Sequence, residues 1–144
     1  MNWHTAVTQL VTAFFGSLGF SLLFGMRRRH LLVAALGGVL TWAVYLAVTA
    51  WLREGFLPCL AASAFAVVYS EALAHWRKTP ATLFVIPAII PLVPGSSLYY
   101  AMDSAVRGDL QAARLFGEQT VQAALAIAAG ISLVTALRQL ETKR

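Results

Sequence analysis

The chain has 144 residues, of which 59% are hydrophobic and only 12% charged, and its mean hydropathy is +0.71. A soluble domain carries about 45–50% apolar and about 25% charged residues, so a soluble enzyme, a disordered tail and a disulfide scaffold are excluded, the last also by the single cysteine, Cys59. The net charge of +5 does not indicate nucleic acid, because the basic residues form short clusters between apolar runs rather than one polar face.

These figures describe an all-α integral membrane protein. A bilayer core of about 30 Å takes roughly 20 residues of helix. Five stretches have that length: about Ala6–Met26, Leu31–Leu52, Phe56–Trp76, Ala81–Met102 and Val121–Leu140, together one membrane domain over 1–144. The first is not a cleaved signal peptide, since no basic residue precedes it and Arg27, Arg28 and Arg29 follow it. Basic residues collect on the cytoplasmic side of membrane proteins. Arg27–Arg29, Arg77, Lys78, Arg138, Lys143 and Arg144 would share one side, against Arg53, Arg107 and Arg114 on the other. Glu54, Asp103, Asp109 and Glu118 fall with the minority. The expected topology is N-terminus out and C-terminus in.

The long connection is 103–120. Gly108 is expected to end one helix and Asp109 to N-cap the next, which starts outside the membrane before entering it. Small residues four apart mark faces for close helix approach: Ser17 and Ser21, Gly37 and Thr41, Ala126 and Gly130. Trp51 and Trp76 fall at span ends, where tryptophan anchors to the interface.

The fourth span carries the strongest functional signal. Pro80 suits a first helical turn. Pro87, Pro91 and Pro94 lie inside the span, and each removes an N–H and clashes with the carbonyl four residues back. The carbonyls of Leu83, Pro87 and Ile90 thereby lose their helical donors. Unpaired backbone cannot face lipid, so this segment must be buried in protein or line a wet cavity. After the break, Gly95 allows unusual backbone angles, and Ser96 and Ser97 can cap a half-helix running through Tyr99, Tyr100 and Met102. The N-terminus of such a half-helix offers free N–H groups and a positive dipole end to an anion, and broken helices mark substrate sites in secondary transporters. A kinked packing helix is the plainer alternative.

Glu71 is the one acid within an apolar span. It reads either as a proton-coupling carboxylate or as an interfacial acid paired with His75 one turn on. Phosphate loops, HExxH, CxxC and Gly-x-Ser-x-Gly are missing, and His4, His30 and His75 lack metal-ligand spacing. No catalytic residue, cofactor or metal is expected.

The stretch Tyr69-Ser70-Glu71 to Arg77-Lys78-Thr79-Pro80, followed by Ile86-Pro87-Ala88-Ile89-Ile90-Pro91-Leu92-Val93-Pro94-Gly95 and Tyr99-Tyr100-Ala101-Met102, resembles the threonine/serine exporter family, and within it the small YjjB-like membrane subunit. Pro-Leu-Val-Pro-Gly with the following Tyr and Met is the specific part. Gly19-Phe20 and Phe24 also fit, and the one departure is Ala88, where glycine is expected. The resemblance implies export of small hydroxy amino acids or related small carboxylates, driven by an ion gradient, in the bacterial inner membrane. It also implies a partner. Single-chain members resemble two five-span halves, the first bearing a soluble N-terminal region, and this chain looks like the second half. A second five-span subunit with that soluble region is therefore expected, or a homo-oligomer. The candidate substrate residues are Pro87, Pro91, Pro94, Gly95, Ser96, Ser97, Tyr99 and Tyr100, with Glu71 for coupling. The alternatives are a non-transporting scaffold for the partner and a small channel.

Overall fold

The computed structural model describes residues 3–52 and 55–142. Arg53, Glu54, Lys143 and Arg144, which entered the charge argument, lie outside the described residues. Every element among them is helical: α1 (Trp3–Leu23), α2 (Arg28–Leu52), α3 (Phe56–Arg77), α4 (Thr82–Ile89), a 3-10 turn (Ile90–Leu92), α5 (Gly95–Val106) and α6 (Leu110–Thr142). Four helices are long and apolar enough to cross a membrane. A fifth crossing is formed if α4 with its 3-10 turn and α5 count as one span, bent by 51°. The protein is therefore a multi-pass all-α membrane protein whose fourth span is broken.

Turn chemistry sets the helix ends. Gly25 (φ 65°) closes α1, with the Met26 N–H donating to the Ser21 carbonyl at 3.1 Å. Lys78 ends α3 in the left-handed region (φ 50°), a place more often held by glycine. Gly108 (φ 81°) ends α5, and the Asp109 carboxylate accepts from the Ala112 N–H at 3.0 Å, so the expected stop and N-cap are both present. From there α6 runs 33 residues without interruption, about 50 Å of helix and more than a bilayer core needs. Its first turns and the end of α5 carry the exposed ion pairs Arg107–Asp103 and Arg114–Glu118.

The helices close on one another where side chains are small. Ser17, on α1, stands against Gly38 of α2. Gly37 faces the Tyr69 ring of α3 and the Ala88 methyl of α4. Gly130 of α6 sits against Ser63, the Leu60 carbonyl and the Ala64 N–H of α3. With no hydrophobic drive between helices in lipid, such close approach supplies van der Waals contact instead. It also accounts for Ala88, which is fully buried: the glycine needed at that crossing is on the partner helix, at Gly37. A core of Met26, Ala34, Leu73, Ala74 and Phe84 closes one end of the bundle, and the buried His30 ring meets Phe84 edge-on at 5.7 Å.

Candidate functional site

The break is built by its prolines, though not in every detail as expected. Pro87 is tolerated inside α4, and Pro91 falls in the 3-10 turn. The Ile90 carbonyl is not orphaned by Pro94: it accepts from the Val93 N–H at 3.2 Å, because the chain tightens to 3-10 pairing. Pro80 stands just before α4 rather than in its first turn, and its carbonyl accepts from the Leu83 N–H. Val93 is extended, and Pro94 is the N-cap of α5.

Two local expectations are corrected here. Gly95 does not use a positive φ; the positive-φ glycines among the described residues are Gly25, Gly55 and Gly108. The turn is made at Pro94 instead, so Gly95 simply starts a helix in open space. Nor do the serines cap α5 with their side chains. The Ser97 hydroxyl donates back to the Pro94 carbonyl at 3.1 Å, which leaves the opening N–H groups of α5 without a side-chain partner.

Beside the break lies a cavity of about 450 Å³. One wall is the break itself, from Pro91 to Pro94, continued by Ser96 and Ser97. The facing wall is α6, through Gln119, Gln122 and Ala123. Trp42 and Tyr45 of α2 form the third side, with rings stacked at 4.7 Å and 23°. Cys59 and Gly55 close the floor. The lining is a mixture of hydroxyls, side-chain amides and aromatic faces. That mixture suits a small solute carrying several hydrogen-bonding groups.

Of the residues proposed from sequence, Pro91, Pro94, Ser96 and Ser97 come together around this cavity. Pro87 does not line it; it is fully buried between α4 and α2, its carbonyl toward Gly38. Tyr99 and Tyr100 are exposed on α5, and Tyr100 packs on Phe116 of α6 at 5.4 Å. Glu71 is elsewhere. It lies twelve residues beyond Cys59 on α3, about 18 Å along the axis. Its partner is not His75 but Arg138 of α6, at 3.0 Å. Neighbouring Tyr69 donates its hydroxyl to the Val33 carbonyl at 2.8 Å, so it ties α3 to α2.

The sequence reading missed Trp42, Tyr45, Cys59, Gln119 and Gln122. Gln122 had a usable signal, as a side-chain amide inside the last apolar span, at the end away from Arg138 and Gln139. Trp42 had another, being a tryptophan near the middle of a span rather than at its end.

A profile of the threonine/serine exporter family, ThrE, matches residues 9–137. The chain belongs to this family. No curated protein and no solved structure gives a significant match. The matched segment contains the whole cavity, the broken span and Glu71. The threonine/serine exporters are transporters rather than enzymes, and the multi-pass helical bundle fits that role.

Proposed function

We propose that this chain is a membrane subunit of a secondary exporter for small hydroxy amino acids such as threonine and serine, or for related small carboxylates. The cavity at the broken span is its share of the substrate path. One observation carries this: three helices and a proline-made break surround a 450 Å³ space with hydroxyl, amide and aromatic groups. The Gly95 N–H is taken by the Val93 carbonyl at 2.7 Å, but the Ser96 and Ser97 N–H groups have no helical acceptors by position, and they would meet a carboxylate with the positive end of the dipole. The amide oxygens of Gln119 and Gln122 can accept from an ammonium or a hydroxyl. The Trp42 and Tyr45 faces add an attractive surface for a cation.

The basic residues at the Arg27–Arg29, Arg77–Lys78 and Arg138 end favour a cytoplasmic location for that end, in a bacterial inner membrane. The cavity then belongs to the outer half, while the Phe84 core and the Glu71–Arg138 pair close the inner half. Protonation of Glu71 would break its ion pair, which gives a coupling proton a place to act on the closed end.

A second five-span subunit with a soluble N-terminal region would complete the assembly. The supporting observation is α5, which buries none of its residues and leaves Leu98, Tyr99, Met102 and Val106 exposed. The test is efflux from cells preloaded with labelled serine, threonine and small dicarboxylates, carrying this chain, the candidate partner, or both. Export of one substrate class only with both chains supports the reading. Absence of export with both chains inserted in the membrane refutes it. Cys59 adds a direct measure, because substrate in the cavity should slow its reaction with a thiol reagent.

A further inference from the structure

A smaller cavity, of about 200 Å³, lies on the α1 side of the 3-10 turn. Gln9, Ala13 and Gly16 are among its residues on α1, and Ile90 is on its other side. Trp42 and Pro91 line both this cavity and the larger one. The wall between the two therefore includes the Trp42 indole and the Pro91 ring. Pro91 is fixed within the turn. Trp42 rests on Tyr45 by stacking, and its Nε1–H is shut off from solvent without a hydrogen bond. A buried tryptophan N–H usually has an acceptor. Without one, no polar bond holds this ring in place. On α1, the side-chain oxygen of Gln9 is likewise shut off without a donor. An unsatisfied amide in a membrane span is costly, and here it belongs to a residue lining a cavity.

We infer that the two cavities are successive compartments of one path, with the Trp42 ring as the movable partition and Gln9 as the polar group of the second compartment. The spare donor on Trp42 and the spare acceptor on Gln9 suit a small solute that both donates and accepts hydrogen bonds. The smaller volume corresponds to about six or seven waters, enough for a solute of roughly that many heavy atoms. The inference rests on the larger cavity being the substrate site, and it adds where the solute goes next.

The experiment places a reporter in the second compartment of the full chain, in membranes, with the native thiol removed by Cys59→Ser. Ala13 is buried and lines that compartment, so Ala13→Cys is the reporter and a charged methanethiosulfonate is the probe. Labelling should be slow with Trp42 present and about tenfold faster with Trp42→Ala, the change expected on losing one aromatic pair and its bulk. Trp42→Phe, which keeps a ring, should stay slow, and serine or threonine should slow the Trp42→Ala reaction. Equal rates in all three backgrounds would overturn the partition. If Ala13→Cys does not insert, Gly16→Cys takes its place with the same expectations, since Gly16 lines the same compartment and a Cβ there meets nothing within 4 Å. Protection of native Cys59 by substrate, measured separately, keeps the two readings apart. Protection with no effect of Trp42→Ala refutes only the second compartment. Loss of protection with gated labelling refutes the substrate site and leaves the partition standing.

Discussion

The two ends of the bundle are held together by different means. At the Met26–Phe84 end, α4 is a regular helix packed on α2 and α3, and Phe84, Ala34 and Ala88 are fully buried. Tyr69 and Glu71 each reach a partner on another helix there. At the other end the same span breaks over five residues, α5 swings away by 51° onto α6, and a cavity fills the gap. Three residues separate Pro87, fully buried in the packed end, from Pro91 in the cavity wall. The difference teaches that proline by itself does not make a site. A proline is absorbed where neighbouring helices close over it, and it opens a cavity where they do not.

The sharpest way to break the packed regions is at a helix crossing. A Cβ on Gly130 would collide with the Ser63 hydroxyl and come within 2.6 Å of the Leu60 carbonyl and 3.1 Å of the Ala64 nitrogen. Two of those atoms are backbone, so α6 must move off α3. Gly130→Ala should destabilise by about 2–3 kcal/mol, the upper range for overpacking. A Cβ on Gly95 meets nothing within 4 Å, and Gly95→Ala should change stability by less than about 0.5 kcal/mol. Denaturation in mixed detergent micelles measures both. Equal effects would mean that the α3–α6 crossing is not as close as described. Phe84→Ala follows at about 2–3 kcal/mol, somewhat below the ~3–5 of soluble cores, because lipid supplies part of the lost apolar surroundings.

The packed regions were the more legible from sequence. Spans, breaks and small-residue faces follow from local rules: apolar length, missing proline N–H groups, and spacing of four. Ser17, Ser21, Thr41 and Ala126 are indeed fully buried. The cavity was half legible. Its proline-serine wall is one continuous segment, which a sequence displays directly. Its other walls come from α2, α3 and α6, and their convergence depends on how α5 folds back after Gly108. Glu71 shows the same limit. Its place in an apolar run was visible, but its partner lies sixty-seven residues away on α6, whereas local spacing offers only His75, one turn on.

Substitutions in the cavity should separate binding from packing. Gln122 is exposed toward the cavity mouth and makes no helix crossing, so Gln122→Leu should leave unfolding nearly unchanged. A lost side-chain hydrogen bond to a charged ligand group is worth about 1.5–3 kcal/mol, which predicts a rise in the export KM of roughly tenfold or more. Full substrate protection of Cys59 in this variant would remove Gln122 from the site. Glu71→Gln is expected to do the reverse of a binding mutation. The pair is part-exposed, with Arg138 51% and Glu71 24% accessible, so its loss costs under about 1 kcal/mol. Export should persist but lose its dependence on an imposed proton gradient. Unaltered gradient dependence would take the coupling role away from Glu71.

The smallest effect is expected at Tyr99, and it tests what lies beyond the chain. Tyr99 is 65% exposed, its ring meets Tyr100 edge-on, and it is not part of either cavity wall. Removing one exposed hydroxyl moves stability by less than about 0.5 kcal/mol. With lipid against α5, Tyr99→Phe should leave export unchanged, and so should Tyr99→Leu. With a second subunit against α5, the hydroxyl can pair across the interface. Tyr99→Phe would then lower export only in cells that carry both chains, and Tyr99→Leu would also weaken co-purification of the two. The comparison of the two ends then extends outward. The packed end closes within one chain, whereas the broken end, with no residue of α5 buried, is the place where another chain has apolar surface to gain.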